Sequence, residues 1–223
     1  MTDVKCPYCT KQLPKVPKRK TGCIFCCKNI HVRSKQDIFP GRILFTKDEA
    51  GAVDWLRKLE LSRRDFESER DRLSLHHGVQ ANPRDIVYSL MNQLLMKYGQ
   101  PPNFDQLKMV YFQMALFLHE ERRNPFKLKQ EAIKSDLSKW RKQAEKGSLD
   151  LERNRVKVIT CGSDSCAECR KLNGATFHLD EAFEKMPIPV RACAKWSEEN
   201  SYGWCRCEYA LIALHDEDEL EPL

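Results

Sequence analysis

Apolar residues recur at helical spacing through the middle of the chain, and at alternating spacing near its end. Thr46-Lys47-Asp48-Glu49 has the form of a capping box, with Val53, Leu56 and Leu59 following along one face. The charged stretch from Arg63 to Leu73 continues as helix with few apolar anchors. Asn82-Pro83 is a helix start, with Asn as N-cap and Pro in the first turn. Ile86, Val87, Leu90, Met91, Leu94 and Leu95 then form a broad apolar face, ended by Gly99 and Pro101-Pro102. Asn103 opens a further helix carrying Leu107, Val110, Tyr111, Met114 and Phe117. Asn124-Pro125 opens another, with Leu128, Ala132, Trp140 and Ala144 on its face, Leu137 near it, and its end near Gly147. Beyond Gly147 the period changes. Arg155-Val156-Lys157-Val158 alternates as a strand, Asp180–Lys185 is a short helix before Pro187-Ile188-Pro189, and Trp204 to Leu214 contains a second strand-like run.

The cysteines divide the chain more sharply than the periodicity does. Five of the eleven lie between Cys6 and Cys27, six between Cys161 and Cys207, and none in the 133 residues between. The expected fold is α+β. It comprises an N-terminal zinc ribbon over 1–40, a helical bundle over 41–150, a small C-terminal α+β zinc-binding module over 151–214, and an acidic tail over 215–223. At 223 residues there is enough chain for a sizeable core. No apolar run approaches the roughly 20 residues of a membrane span, and the first residues lack the apolar core of a signal peptide. A cytoplasmic protein without membrane contact is expected, and an odd number of cysteines there favours metal ligation over disulfides.

Cys6-Pro7-Tyr8-Cys9 and Cys23-Ile24-Phe25-Cys26 form a C-x2-C…C-x2-C array. Two residues between thiolates let a tight knuckle aim both sulfurs at one ion, and two knuckles complete a tetrahedron. So short a segment cannot build a sufficient apolar core, so metal supplies much of its folding energy. Cys27 either replaces Cys26 as a ligand or occupies the knuckle turn. The segment resembles a zinc ribbon of the rubredoxin-like type on Cys6, Cys9, Cys23 and Cys26.

Cys166-Ala167-Glu168-Cys169 is a third knuckle. Cys193 lies beyond Pro187-Ile188-Pro189, and Cys205 and Cys207 share one side of an extended segment. Cys166, Cys169, Cys193 and Cys205 are expected to close a second four-sulfur site. Cys207 competes for the last place, and Cys161 is the weakest candidate. The order Cys166, Cys169, Leu172, Gly174, Phe177, Pro187, Pro189, Cys205, Arg206, Cys207 resembles the C-terminal module of phage head-morphogenesis (minor head) proteins. That family closes its pattern with a His-x-x-Cys-Arg-Cys or similar run. Here the His is absent, and Cys193 stands twelve residues before Cys205. The resemblance implies phage or prophage ancestry and a structural role at the capsid.

Net charge is +6, unevenly spread: residues 1–35 hold nine Lys/Arg against one Asp, and residues 208–223 hold six Asp/Glu and no Lys/Arg. Two four-thiolate zinc sites, each adding a formal −2, lower the total to about +2. Lys15, Lys18, Arg19 and Lys20 in the turn between the first two knuckles are candidates for phosphate contact. Catalytic signatures are missing. The H-x-E…P-C-x-x-C of zinc deaminases, the H-E-x-x-H of metalloproteases, the Walker loop, G-x-G-x-x-G and G-x-S-x-G are all absent. The expected function is therefore noncatalytic: two zinc ions in a structural or assembly scaffold, with a protein partner or a phage-type assembly. The alternatives are a nucleic-acid-binding regulator using the basic N-terminus, and a zinc-containing hydrolase such as a nuclease.

Overall fold

The computed structural model describes residues 4–34, 36–148, 155–193 and 205–212. The chain is mixed helix and sheet, as its periodicity predicts, and forms two compact units, Met1–Gln93 and Leu94–Leu223. The elements of residues 41–150 are distributed over both. The expected acidic tail and part of the last strand-like run, Trp204 and Ala213-Leu214, lie outside the described residues. Among the described residues no helix is long and apolar enough to cross a membrane.

In the first unit, β1 (Thr21–Gly22), β2 (Asn29–Val32) and β3 (Leu44–Phe45) form an antiparallel sheet in that order. Helix α1 (Lys47–Lys58) begins at Thr46, where the expected capping box is complete, and buries Ala50, Ala52, Val53, Trp55 and Leu56. The charged stretch after it is a separate helix, α2 (Arg63–His77), with its own capping box between Ser62 and Asp65. It ends on His76-His77, with Gly78 in the left-handed region at φ 67°. Only Phe66 and Glu69 of α2 are buried. Its attachment to α3 (Pro83–Gly99) is polar: the Glu69 carboxylate accepts hydrogen bonds from Arg72, Ser89 and Gln93. Asn82 caps α3 as expected, accepting from the Arg84 N–H at 2.8 Å, and Ile86, Val87, Leu90 and Met91 face inward.

In the second unit, α4 (Phe104–Glu120) packs along α5 (Phe126–Glu145). Val110, Met114 and Phe117 of α4 are buried as expected, with Ala115 and Leu118. The buried face of α5 differs from the expected one. Ala132 is buried as expected and Leu137, expected near the face, is fully buried, but Leu128 and Ala144 are only half-buried, and Lys129, Ile133 and Ser135 point inward as well. Lys129 is accommodated because its aliphatic stem is apolar, while Nζ lies over the Phe112 ring and 3.3 Å from Glu208. An antiparallel sheet in the order β5 (Thr176–His178), β4 (Arg155–Ile159), β6 (Glu208–Ile212) follows. β4 alternates as its sequence predicts, with Val156 and Val158 buried. Two short helices, α6 (Ala167–Lys171) and α7 (Leu179–Lys185), complete the unit, and α7 packs on α5. Ile133, Leu137, Val156, Val158, Leu179 and Ile188 make its core together with four buried cysteines.

Candidate metal centres

The first two knuckles share one backbone plan, repeated seventeen residues on. Cys6 and Cys23 each open a turn in which the N–H two residues later, from Tyr8 or Phe25, donates to the cysteine sulfur at 3.4 Å. The Thr10 and Cys27 N–H groups close the turns onto the Cys6 and Cys23 carbonyls at 3.0 and 2.9 Å. Both closing residues are left-handed, at φ 59° and 58°. Cys27 is thus the counterpart of Thr10: a turn residue, exposed, and outside the sulfur cluster. The alternative in which it replaces Cys26 does not arise in this geometry.

The four sulfurs of Cys6, Cys9, Cys23 and Cys26 all lie within 4.8 Å of one another, with Cys6–Cys26 at 3.8 Å and Cys9–Cys23 at 3.9 Å. A tetrahedron with metal–sulfur bonds of about 2.3 Å has edges of about 3.8 Å, so these residues fit one four-coordinate soft metal ion. Their thiols are unequal. Desolvation opposes ionisation of Cys23, but the Phe25 and Cys26 N–H groups overcome it and bring its pKa to about 6. Cys26 receives the Lys28 N–H, yet desolvation and the neighbouring sulfurs push it up to about 12. The apolar support is small: among the described residues Leu13, Ile30 and Leu44 are the fully buried carbon side chains packed with Cys6 and Cys23, with Val4, Tyr8, Val32 and Ile43 half-buried around them. Tyr8 ties the first knuckle to the start of α1, its hydroxyl accepting from the Lys47 N–H at 2.8 Å. Sequence reasoning gave no sign of that tie, because it depends on how the sheet sits on α1.

Cys166 is the N-cap of α6, its sulfur accepting from the Cys169 N–H at 3.4 Å. Beyond the helix, Gly174 turns the chain at φ 81° and donates to the Val158 carbonyl, while Asn173 accepts from the Thr160 N–H. These bonds hold the knuckle against β4 and give the Leu172-x-Gly174 pattern its purpose. Cys193, Cys205 and Cys207 arrive from elsewhere in the chain. The five sulfurs form two triads sharing Cys169: Cys166, Cys169 and Cys193, and Cys169, Cys205 and Cys207. Within the cluster, Cys166–Cys193, Cys169–Cys193 and Cys169–Cys205 are 3.5, 3.7 and 3.9 Å apart. Cys161 stands apart, its sulfur near the Arg206 carbonyl at 4.0 Å. The Cys207 thiol donates to Cys205, lowering the Cys205 pKa to about 5, while desolvation adds to the same bond in raising that of Cys207. Burial raises Cys169 as well. The four expected ligands and their competitor Cys207 are therefore together, in an arrangement able to hold a metal ion.

Of the basic candidates, Lys15, Lys18 and Arg19 line one groove of about 620 Å³ on the first unit, over Leu13, Val16 and Ile24. Lys20 is exposed but is not part of that lining. Among the described residues no histidine joins either cluster: His76 and His77 end α2, and exposed His178 precedes α7. Comparison with protein-family models, curated proteins and solved structures returned no match.

Proposed function

We infer that the protein is a noncatalytic zinc protein whose two metal ions hold together a scaffold for assembly or interaction. The observation that carries this is the closed quartet of Cys6, Cys9, Cys23 and Cys26, with its sulfurs at tetrahedral spacing beside a sheet with a small apolar core. Zinc suits an all-thiolate tetrahedron, and four protein ligands leave no position for a reacting water. Its contribution there is folding energy. At the C-terminal site Cys166, Cys169 and Cys193, with Cys205 or its competitor Cys207 in the last place, hold the second ion. The order of knuckle, Leu-x-Gly, proline pair and Cys-Arg-Cys supports phage or prophage ancestry, and with it a protein partner in a particle-type assembly. Elemental analysis of protein purified without chelator is expected to find about two zinc ions per chain, one for each four-thiolate site. One or none overturns the reading. Co-sedimentation with capsid or portal proteins encoded beside the gene tests the assembly role, and its absence with zinc intact removes the phage partner alone.

A second reading has one observation in its favour. The basic side chains Lys15, Lys18 and Arg19 converge on a single groove, which suits a phosphate backbone. The groove floor is aliphatic and offers no ring for a base to stack on, so such binding is insensitive to sequence.

A further inference from the structure

Five sulfurs converge at the C-terminal centre, one more than a tetrahedral ion accepts. Both triads contain Cys169, and neither takes in a fourth cysteine within 4.8 Å. Closing the site around an ion therefore requires a sulfur of one triad to move towards the other. Cys166 and Cys169 are fixed by the α6 turn, in which the Cys169 N–H donates to the Cys166 sulfur. Cys205 and Cys207 lie on the segment that enters β6. They are two residues apart, both almost fully buried at 1% and 2% exposure, with exposed Arg206 between them. Alternation puts both sulfurs on the same side of the chain. A short slide of this segment in one direction or the other would bring either the Cys205 or the Cys207 sulfur to the Cys166–Cys193 edge.

We propose that Cys205 and Cys207 alternate as the fourth ligand of the C-terminal metal ion, with Cys166, Cys169 and Cys193 common to both sets. This rests on the zinc reading above. The site then carries a built-in spare thiolate: loss of either member leaves a complete quartet, and the resident ion has an internal route for ligand exchange. The N-terminal centre has no such route, because its extra cysteine, Cys27, is turned out to solvent.

Zinc content separates the possibilities. Wild type, Cys205→Ser and Cys207→Ser are each expected to hold about two zinc ions per chain, and the double variant about one. A wild type with fewer than two sinks the zinc reading itself. A full wild type with either single variant falling to one sinks only the alternation, since it marks a fixed ligand. A double variant that keeps both ions also overturns the proposal. A measurement on the unaltered chain guards against a variant that fails to fold. Loaded with cadmium-113, the C-terminal site should give two resonances, or one broadened by exchange, beside a sharp line from the N-terminal site. Two equally sharp single lines at all temperatures contradict the exchange.

Discussion

At the scale of single residues, the contrast between Cys26 and Cys27 is the clearest. Adjacent in sequence and identical in chemistry, one contributes a sulfur to the quartet and the other holds a left-handed turn. Cys26→Ser should lose the metal ion proposed for the N-terminal quartet, and Cys27→Ser should keep it with little change in stability. Equal metal loss in both, read by elemental analysis, contradicts the knuckle assignment. Glu69 is the second case. Its carboxylate is 3% exposed and held by Arg72, Ser89 and Gln93, and the Arg72 bonds lead in lowering its pKa from 4.5 to about 2. Because the folded value lies below the unfolded one, this stabilisation is complete above 4.5 and is lost as pH falls towards 2. Glu69→Gln should cost about 1–3 kcal/mol near neutrality in urea unfolding. The gap from wild type should close in acid, and a gap that persists at the lowest pH shows that the charge is not its source.

At the scale of elements, two kinds of support coexist. Helices α1 and α3 to α5 have buried apolar faces, and α1 to α4 have side-chain hydrogen bonds at their starts. Strands β1 and β2 have only Ile30 fully buried between them. If the N-terminal quartet holds a metal ion, removing it with a chelator, or substituting Cys6→Ser, should therefore unfold the segment of β1 and β2 while the far-UV helical signal survives. Disappearance of the whole helical spectrum would show that the helices depend on the metal. The C-terminal thiols differ in kind, since they are packed into a core with Val156, Val158, Leu179 and Ile188. Ligand and core residue are the same there, so metal loss at that centre also loosens packing.

At the scale of the molecule, the distribution of charge along the chain is the property that no single residue or element sets. A metal ion on four thiolates would offset part of the positive charge of the N-terminal segment, and what stays concentrated is the turn of Lys15, Lys18, Arg19 and Lys20. If the groove takes single-stranded nucleic acid, log K against log salt should fall with a slope of roughly −0.7 per phosphate contacted. Neutralising the four side chains together should abolish binding. A neutral variant that binds as tightly as wild type eliminates nucleic acid as a ligand of this groove.

The helices other than α6, the alternating strand β4 and the four expected ligands of each cysteine cluster were legible in the sequence. Each depends on local rules: 3.6-residue and two-residue periodicity, capping chemistry, and the C-x2-C spacing that lets one turn aim two sulfurs. Three features were not legible, for one reason. The burial of Lys129 depends on Glu208 and Phe112, the Glu69 anchor on Ser89 and Gln93, and the sharing of Cys169 on where Cys193 and Cys205 return. Their partners are distant along the chain, and no spacing rule reaches them. Sequence alone determined which residues are able to bind metal or form helix. Tertiary structure decided which sulfurs meet and which polar groups are carried inside, because long-range packing sets those distances.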